Sequence, residues 1–133
     1  MRNEYKALLI GFLAVVVLDT VGSIASNQFD FNYNLLWPGS YLIYGAVSFQ
    51  VTKRSQLKKG ILFSVITGLF DATIGLTIST YLQANIGLEH EMTTGYWVIA
   101  VLVNSVFVAI VGLIAGRIAI WKNKNRINAQ QVA

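Results

Sequence analysis

The sequence predicts an all-α fold, a four-helix transmembrane bundle with both termini on the cytoplasmic side, and three observations predict it. The chain is 55% hydrophobic and only 12% charged, with a mean hydropathy of +0.58, whereas an average soluble domain is about a quarter charged. Four apolar segments reach roughly the 20 residues that cross a hydrocarbon core. All ten Lys and Arg fall into three clusters: at the start of the chain, between the second and third segments, and from Arg117 near the end of the fourth onward. The 133 residues therefore read as one integral membrane domain.

The first segment runs from about Ala7 to Ser26, behind Arg2 and Lys6. Gly11, Val15, Asp19, Gly22 and Ser26 recur on it at helical spacing. A cleaved signal peptide is the competing reading, since Ser23-Ile24-Ala25 offers a small-residue cleavage site. Against it, apolar character resumes from Val21 to Ala25, past Asp19. The second segment, about Leu35 to Thr52, opens on Trp37-Pro38-Gly39-Ser40. Proline suits a first helical turn because its missing N–H would be unpaired there anyway. This segment offers Tyr41, Tyr44 and Ser48 as polar groups.

The third segment, about Gly60 to Leu82, has the clearest face. Ser64, Thr67, Gly68, Asp71, Gly75 and Ser79 recur at steps of three and four, which lines small and polar groups along one side. Leu62, Val65, Ile66, Leu69, Ile74 and Leu76 form the opposite side, which lipid should see. The fourth segment, about Tyr96 to Trp121, is overlong or tilted. It carries Asn104 and the small-xxx-small pair Gly112 and Gly116, a spacing that lets backbones approach. Residues 122–133, rich in Asn, Gln and Lys, read as a solvated cytoplasmic tail.

Loops of about 8, 7 and 13 residues separate the segments, short enough for the positive-inside rule to apply. Placing the three basic clusters in the cytoplasm leaves no Lys or Arg outside. Aromatic residues agree: Tyr5 and Trp121 fall near the inner surface, and Tyr33, Trp37, Tyr81, Tyr96 and Trp97 near the outer one. The expected location is a cytoplasmic membrane of bacterial type. Leu18-Asp19-Thr20-Val21-Gly22 also resembles Phe70-Asp71-Ala72-Thr73-Ile74-Gly75, and the same offset carries Lys6 onto Lys58. This suggests two helical hairpins in parallel repeat, and a coincidence of membrane-helix composition stands as the alternative.

Depth follows from a rise of about 1.5 Å per residue. Asp19 and Asp71 fall roughly 18 to 20 Å from the inner boundary, and Tyr44 and Asn104 roughly 12 Å below the outer one. In a core about 30 Å thick, the four side chains form one polar layer. An ionised carboxylate at such depth costs about 2.5 to 3.5 kcal/mol on insertion scales, and no Lys or Arg lies there to neutralise either one. Two carboxyls in one dry layer are expected to share a proton. Asp19, Asp71, Tyr44 and Asn104 are therefore the candidate ion- or proton-binding residues, and Gly22, Gly75, Gly112 and Gly116 the candidate helix-packing ones. The competing reading is interhelical hydrogen bonding alone, at about 0.6 kcal/mol per bond.

Other chemistry is sparse. With no Cys and one His, neither a thiolate site nor a His-rich metal site can be built. His90, between Glu89 and Glu91, reads as a solvated loop or at most a weak cation site. No catalytic residues, metal site or cofactor are expected, and the chain is not expected to be an enzyme; intramembrane aspartyl chemistry would need both carboxyls to share a water. The net charge of +4 is explained by topology, so no nucleic-acid partner is expected. Besides the bilayer, expected partners are anionic lipid headgroups at Lys53, Arg54, Lys58 and Lys59, and a second copy or another membrane protein through Gly112 and Gly116. The function this implies is ion- or proton-linked transport, or else an accessory subunit whose polar layer is structural.

Overall fold

A computed structural model describes residues 3–86 and 94–132 of the chain. It is an all-α protein of four helices: α1 (Asn3–Phe29), α2 (Trp37–Arg54), α3 (Leu57–Tyr81) and α4 (Thr94–Val132). Three of them, α1, α3 and the Trp97–Asn125 stretch of α4, are long and apolar enough to span a membrane. Helix α2 has 18 residues and carries Ser40, Tyr41, Tyr44, Ser48, Gln50 and Thr52, so it is the least apolar of the four segments read from the sequence.

Pair contacts fix the directions. Glu4 at the start of α1 meets Lys59 near the start of α3 at 3.7 Å, Phe12 stacks on Phe70 with ring centroids 4.2 Å apart, and Asp19 reaches Gly75. Helices α1 and α3 are thus parallel. Helices α2 and α4 run together the other way, because Tyr41 pairs with Asn104 at 2.9 Å, Ser48 Oγ donates to the Gly112 carbonyl at 2.6 Å, and Thr52 lies beside Gly116. Lys6, Lys53, Arg54, Lys58, Lys59 and Lys122 consequently gather at one end, the basic end. The turns at 30–36 and 82–86 gather at the far end.

The interior has two apolar layers. Val47, Val51 and Phe63 fill the basic half, and Val15, Tyr44 and Val108 the middle. The small and polar stripes face inward along the whole bundle: Gly11, Val15, Asp19, Gly22 and Ser26 of α1 are buried, as are Ser64, Thr67, Gly68, Gly75 and Ser79 of α3. Ile10, Leu13, Val17 and Val21 of α1 and Ile99, Leu102, Val106 and Ile114 of α4 stand exposed. A soluble monomer rarely shows so extensive an apolar exterior, whereas hydrocarbon solvates it without cost.

Several boundaries differ from the sequence reading for local reasons. Leu35 and Leu36 belong to a 3-10 turn, Tyr33–Leu36, capped by the Asn32 side chain accepting the Asn34 N–H at 2.9 Å. Helix α2 therefore begins at Trp37, with Pro38 in its first turn. The tail is helical: α4 continues to Val132, and its 39 residues span about 58 Å at 1.5 Å each, well beyond the apolar stretch. Lys122 and Lys124 stand exposed there, so the segment remains solvated, as a helix. Glu89, His90 and Glu91 lie outside the described residues.

At the far end the turns are tied together. Ser26 Oγ donates to the Phe31 carbonyl at 2.7 Å and accepts the Asn85 N–H at 3.1 Å, while the Tyr33 N–H donates to the Asn85 carbonyl at 2.7 Å. Asp30 takes a left-handed conformation (φ 50°) at the chain reversal after α1, which a short polar side chain tolerates better than most. This network holds the 3-10 turn down over the end of α1.

Candidate functional site

Asp71 is not in a regular helix. It opens a π-helical turn, Asp71–Gly75, inside α3. In α1 the Asp and the following Gly stand three apart (Asp19, Gly22); in α3 they stand four apart (Asp71, Gly75). The extra residue falls where the helix widens, which keeps Asp71 and Gly75 on the same face. A π turn disturbs the regular pairing of carbonyls, and the Thr73 hydroxyl bonds two of them, Leu69 at 2.8 Å and Phe70 at 3.2 Å.

The two carboxyls meet over Gly75. A Cβ at that position would collide with Asp19 Oδ2 and with Asp71 Oδ1, so only a bare backbone leaves room for both. Asp19 is 1% exposed. Its Oδ1 accepts a hydrogen bond from Tyr33 Oη, whereas its Oδ2 has no donor in the protein. Asp71 Oδ1 lies against the same Cβ position of Gly75 as Asp19 Oδ2. Two carboxylate oxygens repel, but one proton between them satisfies both. Asp71 Oδ2 in turn accepts from Tyr44 Oη, giving a chain of groups in the order Tyr33, Asp19, Asp71, Tyr44.

Asp71 and Asp19 differ in access. A cavity of about 180 Å³ lies at the far end, lined by Tyr33, Ser40, Tyr41, Tyr44, Asp71 and Asn104 among others. Liquid water takes about 30 Å³ per molecule, so several waters fit. Asp71 lies on the cavity wall, and Asp19 lies behind it, sealed by Gly75 and Tyr33. Toward the basic end, Val15, Tyr44 and Val108, then Val47, Val51 and Phe63, fill the described core.

Of the residues the sequence singled out, Tyr44 bonds Asp71, and Asp71 and Asp19 converge over Gly75. Asn104 does not touch the carboxyls. It lines the same cavity and accepts from Tyr41 Oη, whose ring stands edge-on to Tyr44 at 5.5 Å between centroids. The sequence reading assigned Tyr33 to the aromatic belt, and its bond to Asp19 was not foreseen. It lies 14 residues beyond Asp19 in a non-helical turn, so no helical periodicity relates the two.

The four glycines singled out as helix-packing meet different neighbours. At Gly22 a Cβ would run into Leu36 and come within 3.2 Å of Tyr33, so this glycine seats the 3-10 turn and lets Tyr33 reach Asp19. Gly112 lies 3.0 Å from Ser64 and 3.4 Å from Ile61, measured from an ideal Cβ, and Gly116 packs on Leu57 and Thr52. Both face the inside of the monomer, so the surface expected for a partner is occupied by the chain's own α2 and α3. Among the described residues no cluster of His, Cys, Asp and Glu can hold a metal ion. No family model, curated protein or solved structure matches the chain.

Proposed function

We propose that this is a multi-pass protein of a bacterial-type cytoplasmic membrane, with all four helices crossing the bilayer and both termini cytoplasmic. In this reading the Asp19–Asp71 pair serves proton- or cation-linked transport, reached from the outer side. The positive-inside rule puts the basic end in the cytoplasm, so the far-end cavity opens outward. Lys53, Arg54 and Lys58 then lie at the level of anionic headgroups, while Lys59 is engaged by Glu4. The observation that carries the reading is the donor-less, buried Asp19 Oδ2 beside Asp71, which itself lines a cavity large enough for water. An ionisable residue inside a membrane is costly and is by default a candidate for a proton or ion path. Asp71 would take up the proton or cation from the cavity, and Asp19 would share it. No enzymatic step is invoked.

The filled basic half favours a second reading, an accessory or assembly subunit whose polar layer only holds the helices together. Reconstitution separates the two. Under an imposed potential and pH gradient, liposomes carrying the wild-type chain should acidify or alkalinise faster than empty ones, and Asp71→Asn should abolish the difference. Wild-type flux equal to that of empty liposomes, for protons and for alkali cations, would leave the accessory reading standing.

A further inference from the structure

We propose that the groove between α1 and α2 at the basic end binds one anionic phospholipid, with an acyl chain against Ile10, Ala14, Ile43 and Val47 and the phosphate held by Lys6 and Arg54. The proposal is independent of the role of the aspartates. The groove has a volume of about 540 Å³ and is lined mostly by apolar side chains, with Lys6, Arg54, Asn3 and Gln50 as its polar members. It extends from Asn3 to Ala14 on α1 and from Arg54 to Ile43 on α2, about 16 Å at the helical rise. That is the depth of one leaflet of a core about 30 Å thick. Beyond it the seam is closed, since Leu18 of α1 lies 3.3 Å from the Cβ position of Gly39 on α2.

Charge selects the occupant. Lys6 and Arg54 are exposed at the mouth. Among the described residues the one acidic side chain of this end, Glu4, is buried and turned to Lys59. The ion pair with Lys59 is the single one among the described residues, so the two groove cations are left for an external anion. A second copy in the same membrane would dock basic end to basic end and set these cations against their own counterparts. A lipid with a phosphate at one end and hydrocarbon for one leaflet matches both the charge and the length.

The test is native mass spectrometry of the full chain in detergent, titrated with phosphatidylglycerol and with phosphatidylcholine of the same chain length. The expected result is one retained phosphatidylglycerol per chain, with phosphatidylcholine retained far less. Each of Lys6→Gln and Arg54→Gln should weaken retention about fivefold, from about 1 kcal/mol per basic residue at a membrane surface. Lys124→Gln, on an exposed residue of the α4 tail outside the groove, should leave it unchanged, and Ala14→Phe should displace the lipid by filling the deep end. Equal retention of the two lipids overturns the proposal, as does equal weakening by Lys124→Gln. A two-copy mass that Ala14→Phe abolishes would assign the groove to a second copy instead. Should Ala14→Phe fail to fold, the three charge variants decide.

Discussion

Replacing Tyr33 by Phe removes one oxygen and leaves the ring, so it isolates the bond that Asp19 receives. Asp19 is 1% exposed, its Oδ1 depends on Tyr33, and its Oδ2 has no donor. Asp71 lines the far-end cavity and Asp19 does not. The loss is therefore that of a bond to a charged or strongly polar group with no replacement, about 2 to 3 kcal/mol. Tyr44→Phe removes the equivalent bond to Asp71, but cavity water can take that place, and the cost falls to about 1 kcal/mol. A further variant separates the bond from the ring's surroundings: Asp19→Leu on the Tyr33→Phe background removes both partners, which is close to neutral for the pair. The double variant should then be at least about 1.5 kcal/mol more stable than the sum of its parts, since contacting residues couple. Unfolding in mixed micelles, followed through the three tryptophans, measures the wild type, Tyr33→Phe, Tyr44→Phe, Asp19→Leu and the double variant. Tyr44→Phe costing as much as Tyr33→Phe, or strict additivity in the cycle, would refute the reasoning.

Three other outcomes follow from the packing. Gly75→Ala pushes a methyl into both carboxyls and should cost about 1 to 3 kcal/mol or more, the usual range for overpacking, while Gly95→Ala, with nothing within 4 Å of its Cβ position, should be neutral or slightly stabilising in the same unfolding assay. Gly112→Leu should destabilise the monomer through Ser64 and Ile61 and leave the oligomeric state by sedimentation unchanged; dissociation of an oligomer without loss of monomer stability would put Gly112 at a partner surface. The chain has no cysteine, so single cysteines can report access directly: Ser40→Cys and Asn104→Cys on the cavity wall should react with an impermeant maleimide added outside, and Ser23→Cys, fully buried, should not.

The helices and their inward faces were legible because membrane segments have one dominant signal, and small or polar residues at steps of three and four can point only toward other helices. The stripe through Ser64, Thr67, Gly68 and Ser79 is buried as that argument requires, and the depth estimate put Asp19, Asp71 and Tyr44 at one level. The π turn was visible only as a one-residue excess between Asp71 and Gly75 relative to Asp19 and Gly22. A match so short cannot distinguish an insertion from chance. Tyr33 was illegible because its position depends on a 3-10 turn pinned by contacts to Asn85 and Ile86 more than 50 residues away. The small-xxx-small pair on α4 was legible as close packing but silent about which neighbour it packs on, since the spacing is the same for a partner chain and for α2 and α3.

The most direct measurement of the central claim, that Asp19 and Asp71 hold a proton between them, is carboxyl infrared difference spectroscopy of the protein in lipid across about pH 4 to 9, on wild type, Asp19→Asn and Asp71→Asn. Shared protonation predicts that the carboxyl band removed by Asp71→Asn is shifted by Asp19→Asn, and the reverse, with the wild-type pair titrating in two coupled steps. Two independent carboxyl bands, each unchanged when the other residue is replaced, would contradict it.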